Sequence, residues 1–232
     1  MLFWICLFLL MGAVSYYLSG LQPFPEICRR FAAVSLSVAL LLWISETSPR
    51  QGAEEFPAVV SVVLGGLTVV WGFRKMIVTK EDVVLAPLGG ILFCVGGISL
   101  LSGRWEEAGQ SEQFGSFILA STMVLLEIYL AFRGLVVGVT GITWSKSGLR
   151  QIHRGLIQGP NGAISHFEKS WDMEEKWINS MSHAALILIH RELGNEEEEK
   201  THLLKLERLG GWASIDPSWK ETIQTALSEN MS

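Results

Sequence analysis

Apolar and polar positions come in blocks through most of the chain. Apolar stretches run from Leu2 to Leu18, Phe31 to Ile44, Pro57 to Phe73, Val83 to Leu101 and Phe114 to Phe132, separated by short polar breaks, and a further apolar run covers Gly134 to Trp144. A helix needs about 20 predominantly apolar residues to cross a bilayer. Four of the stretches reach that range directly. The second does so if its helix starts near Pro25 and carries Arg29 and Arg30 at its end, their stems lying along the apolar surface while the charges reach the headgroups. The pattern predicts five spans, give or take one. The run Gly134 to Trp144 either continues the last span or lies along the membrane surface.

From Gly148 onward the period changes. "MEEKWINSMSHAALILIHREL" places Trp177, Met181, Ala184, Ala185 and Leu188 at helical spacing on one face, which predicts an amphipathic helix with that stripe turned inward. Leu193-Gly194-Asn195 is a helix stop, because glycine accepts the left-handed conformation that ends helices. A second helix then opens in the glutamates Glu196 to Glu199, where acids suit the helix dipole. It carries Leu203, Leu206 and Leu209 as its apolar side before Gly210-Gly211 ends it. The two form a predicted antiparallel hairpin. Upstream, Gly159-Pro160-Asn161-Gly162 breaks the chain before Ala163, Ile164, Phe167 and Trp171, again at helical spacing. The breaks at Gly159 and Gly194 are 35 residues apart.

Composition agrees with this division. The chain has 232 residues, 49% of them hydrophobic and 18% charged. Residues 1–150 hold ten acids and ten bases, residues 151–232 thirteen acids and eight bases, so the net charge of -5 lies in the tail. All five histidines are there too, whereas Cys6, Cys28 and Cys94 are scattered through the apolar part in no disulfide or zinc pattern. The fold class predicted is all-α: a polytopic membrane helix domain over residues 1–147 and a soluble helical domain over residues 148–232.

Lys and Arg set orientation through short loops. Arg29 and Arg30, then Arg74, Lys75 and Lys80, then Arg133, Lys146, Arg150 and Arg154 mark alternate loops, against only Arg50 and Arg104 in the others. The expectation is an N-terminus outside and a cytoplasmic tail. "MLFWICLFLLMGAVSYYLSG" lacks a basic n-region and a small-x-small cleavage site, so the first stretch is expected to be retained as a helix. Gly89, Gly90, Gly96, Gly97 and Gly103 offer close helix approach, and Pro87 offers a kink in the fourth span.

The tail resembles the tetratricopeptide repeat, a helix-turn-helix unit of about 34 residues. The resemblance rests on "QGPNGAISHFEKSW", with Gly159 at the turn, on "HRELGNEEEEKTHLLKLERL", with Gly194 at the turn, and on "IDPSWKETIQTAL" as a capping helix opened by Asp216 and Pro217. Glu199 stands where the motif has a small alanine. The resemblance implies a protein-binding scaffold without chemistry of its own, with a partner held in a groove lined by the first helices of the repeats.

Candidate chemistry is sparse. Glu127 is the one ionisable residue deep in a span, and intramembrane carboxylates mark proton or ion paths by default. His183 and His190 share a helix face with His202 on the next helix, but no His-x-x-x-His spacing accompanies them. Adjacent carboxylates on a helix diverge, so neither a zinc nor a calcium site is expected. No nucleophile elbow, phosphate loop or dinucleotide fingerprint occurs, and an acidic tail does not suit nucleic acid. The expectation is therefore a non-enzymatic, cofactor-free membrane scaffold or assembly factor. Its protein partner would bind at the tail, with Trp177 and Trp212 as candidate contacts or repeat core, and an integral membrane partner is a further candidate. The alternative is a small channel or transporter with Glu127 in its path.

Overall fold

The computed structural model of the protein describes residues 1–48, 53–172 and 176–231, and among these it is all-helical. Two compact units divide the chain, Met1–Gly138 and Val139–Ser232. Five helices of the first unit are long and apolar enough to cross a membrane, which makes the chain compatible with an integral membrane protein. They are α1 (Leu2–Ser19), α2 (Pro25–Thr47), α3 (Phe56–Arg74), α4 (Leu85–Gly103) and α5 (Gln110–Ala131). Helix α2 opens on Pro25, where proline's missing N–H costs nothing. Arg29 and Arg30 thus lie in its first turns, and the short second stretch becomes a full span. Helix α3 runs on through a π-helical turn, Lys75–Thr79, and α5 through another, Phe132–Val137.

Helices α1 and α2 pair, as do α3 and α4, and α5 packs on α4. The seams explain the glycine pairs. Gly89 and Gly96 face α3: a Cβ at Gly89 would stand 2.7 Å from the Thr68 side chain, and one at Gly96 2.8 Å from the Ala58 carbonyl oxygen. Gly90 and Gly97, one position on, face Glu127 and Met123 of α5. Gly65 and Gly72 of α3 answer with backbone contacts to Phe93 and Ala86. Each glycine pair of α4 therefore serves two neighbours at once. Gly103, expected to join this packing, has no atom near where its Cβ would lie. Pro87 does not interrupt α4, because it falls in the first turn, where backbone N–H groups have no intrahelical acceptor.

The second unit contains α6 (Gly141–His153), α7 (Ala163–Trp171), α8 (Lys176–Glu192), α9 (Glu196–Arg208) and α10 (Pro217–Met231). The boundary lies after Gly138, whose positive φ ends the π-helical turn, rather than after Ser147. The apolar run Gly134 to Trp144 is thus split. Its first part extends α5, and its last residues begin α6, whose Thr143, Ser145 and Ile152 are buried.

Helix α8 is the axis of this unit. Residues from Ser182 to His190 are buried all round, by α6, α7, α9 and α10 together. The expected one-sided stripe is therefore incomplete, and Trp177, its first member, is 57% exposed. Ile152, Phe167, Leu186, Ile189, Ile223 and Leu227 make one core, and Ala184, Ile187, Leu206 and Ile215 a second on the α9 side. Where three helices cross, small hydroxyls replace bulk: Ser145 and Ser170 lie 2.7 Å apart, Ser182 donates to Ser170 at 3.0 Å, and Ser170 donates to the Gly141 carbonyl. The α8–α9 hairpin turns at Gly194, φ 68°, as the sequence led one to expect. Asp216 caps α10 by accepting from the Ser218 N–H at 2.9 Å. Helix α10 packs on α6 and α8, so the face shared by those two helices is covered by the chain's own C-terminal helix.

Candidate functional site

Glu127 sits in the α4–α5 seam, its carboxylate against Gly90 and near Leu130. The absence of a side chain at Gly90 makes the room. Among the described residues its buried Oε2 has no hydrogen-bond partner. Beside it the Cys94 thiol donates to the Met123 carbonyl. No second acid or histidine of α4 or α5 accompanies Glu127 in this seam.

A more completely built polar site lies at the start of α4 and was not singled out by the sequence reading. Asp82 is 1% exposed and Cys28 fully buried. Asp82 Oδ1 accepts from the N–H groups of Val84 and Leu85 at 3.0 and 2.7 Å, capping the helix, and Oδ2 accepts from the Cys28 thiol at 3.0 Å. Ser15 of α1 in turn donates to the Cys28 carbonyl at 2.8 Å. One carboxylate thereby ties the first turn of α4 to α2, and through it to α1. Burial pushes the Asp82 carboxyl above its ordinary range, with the thiol, the two amides and Lys75 opposing the shift. Lys75 itself pairs with Glu81. The legible signal was an aspartate placed to cap an apolar run.

The densest cluster of ionisable side chains lies between α8 and α9. His183, His190 and His202 are 3%, 5% and 4% exposed. The Nδ1 atoms of His183 and His202 are 3.0 Å apart, so one ring donates and the other accepts. His190 stacks on His202 with ring centroids 5.7 Å apart. His183 also meets Trp171, over whose ring Lys205 places its ammonium. Burial lowers His183 and His202 to a pKa of about 4, helped by Lys205 in both cases, by His202 for His183 and by His190 for His202, so both rings are neutral at pH 7.

Three of the four glutamates that open α9 have distinct surroundings. Glu199 pairs with Arg191 at 2.8 Å, Glu196 lies 3.7 Å from Lys200 on the exposed surface, and Glu198 turns to the histidines. His190, Glu198 and His202 each offer a ligand atom, all within 4.8 Å of one another. Glu198 and His202 are four apart on α9, a ligand spacing on one helix face that was present in the sequence and passed over. His190, across the hairpin, was not legible as their neighbour, because its approach depends on how α8 turns against α9.

Of the two tryptophans proposed as contacts, Trp177 stands out on the surface, whereas Trp212 packs at the edge of both cores with Lys220 over its ring. No protein-family model, curated protein or solved structure matches the chain.

Proposed function

We propose that this chain is a membrane-anchored scaffold or assembly factor whose second unit, a tetratricopeptide-like helical module, holds a protein partner on the cytoplasmic side. The observation that carries the reading is Trp177: a large aromatic left 57% exposed on a unit whose other long apolar side chains are mostly buried. Exposed tryptophan is the residue type most enriched at binding hot spots. Because α10 covers the face shared by α6 and α8, the partner is expected on the outer surface around Trp177 rather than in a groove of first helices. Charge supports the orientation, with Lys and Arg concentrated in alternate breaks and after the last span. Anchoring both partners to one membrane raises their effective concentration without any new chemistry.

The test is a photocrosslinking side chain at position 177 in the full chain within native membranes, with the same probe at the exposed Glu229 as control. A reproducible protein adduct at 177 alone is the expected result. Adducts to lipid only, or equal yields at both positions, would overturn the reading. The rival, a small channel or transporter, draws on the unpartnered carboxylate of Glu127.

A further inference from the structure

The histidines between α8 and α9 are more than packing. Buried polar atoms in folded proteins nearly always have a hydrogen-bond partner. Nδ1 of His190 has none, although the residue is 95% buried by its 5% exposure. Next to it lie a second imidazole, His202, and a carboxylate, Glu198, from a different helix. We infer that His190, His202 and Glu198 form a binding site for one divalent transition-metal ion, clasping the α8–α9 hairpin.

The donor set selects the ion class. Two imidazoles and one carboxylate suit zinc, copper or nickel, whereas calcium and magnesium ask for oxygen ligands in greater number. Lys205 lies close enough to repel the charged forms of His183 and His202, and among the described residues Glu198 is the one acid in the group, which further disfavours a hard cation held by charge alone. The hydrogen bond between His202 and His183 supplies what metal-bound histidines usually have, a partner on the second ring nitrogen that fixes tautomer and orientation. With His202 ligating through the nitrogen that His183 leaves free, His183 acts as a positioning residue. Ligand atoms on one tetrahedral ion lie about 3.3 Å apart. The 4.8 Å span therefore closes by side-chain rotation, chiefly of the exposed Glu198. Three protein ligands leave a fourth position for water or for a donor from a bound partner.

The experiment uses the full chain, purified in detergent and stripped with chelator, titrated with Zn²⁺ against a chelating competitor, and separately with Co²⁺ read by visible absorption. One Zn²⁺ per chain is expected, with a tetrahedral cobalt spectrum and a rise in Tm of about 5 °C or more under saturating metal. E198Q and H190Q should each weaken Zn²⁺ at least 10-fold, and E197Q, the adjacent exposed glutamate, should not. Replacing buried His190 also perturbs the core, so E198Q on the exposed rim decides independently. Absence of stoichiometric binding would overturn the site. Equal loss in E197Q and E198Q would reduce it to adsorption on an acidic surface, and Ca²⁺ competing on equal terms with Zn²⁺ would refute the imidazole ligands.

Discussion

Single carboxylates and imidazoles carry the chemistry of this chain, and their surroundings decide what each can do. Asp82 spends every oxygen on fixed partners, so it acts as a joint; Glu127 leaves an oxygen unpaired against Gly90, so it alone keeps capacity for a proton or a partner's cation. If Glu127 only fills the α4–α5 seam, E127Q keeps its shape and changes neither ion flux into proteoliposomes nor phenotype; a loss of flux would instead establish the transport reading. The histidines make a pH-dependent prediction. For His183 and His202 the folded pKa, about 4, lies below the unfolded value of 6.5. The unfolded chain therefore binds more protons in between, and their contribution to stability is full above pH 6.5 and is lost as pH falls toward 4. His166 is lowered to about 4 as well, by burial and then by Lys169 beside it, and acts in the same sense. With chelator present, the Tm of the second unit in the full chain should drop by roughly 5 °C or more between pH 7.5 and pH 5. An unchanged Tm would mean that these rings are hydrated. How much of this was readable in advance differs by residue. The Glu198–His202 spacing is local and was open to inspection, whereas the pairing of Cys28 with Asp82 joins residues 54 apart and follows from packing alone.

Among the elements, the five apolar helices were legible because a long apolar run has few other ways to satisfy its backbone. Their neighbours were not, since hydropathy says that a face is apolar and not what it touches. Helix α8 shows the same limit: its stripe was visible, but burial on all sides follows from α6, α7, α9 and α10 surrounding it. The glycine pairs of α4 permit a sharp test. Gly96 touches backbone of α3, which cannot rotate away, while Gly103 faces open space. Overpacking of a tight seam costs about 1–3 kcal/mol. G96V should therefore lower the thermal midpoint of the detergent-solubilised chain and loosen a disulfide engineered across α3 and α4, with G103V as a silent control. Equal behaviour of the two variants would remove the two-sided role assigned to α4.

For the whole molecule, the change in charge and in hydrophobic period foretold two units, and the shift of their boundary to Gly138 has a physical origin. Val139 to Trp144 read as apolar in sequence, yet α6 uses such residues to bury itself among α7, α8 and α10, so apolar character alone could not separate membrane from core. If all five candidate helices cross, the two ends of the chain lie on opposite sides of a bilayer, and the proposed orientation rests on the basic residues. Of the native thiols, Cys28 and Cys94 are buried and Cys6 is exposed, so C6S leaves a quiet background for labelling. In that background a cysteine at Glu107, in the acidic α4–α5 connection, should react with a membrane-impermeant maleimide on intact cells. One at Glu229, in α10, should react only after permeabilisation. Reaction of both on intact cells would require an even number of spans between Glu107 and Glu229, and α5, the one candidate span between them, would be the first to reconsider. The reversed pattern would put the tail outside. A cytoplasmic scaffold would then be untenable, while the helix packing and the histidine cluster would stand unchanged.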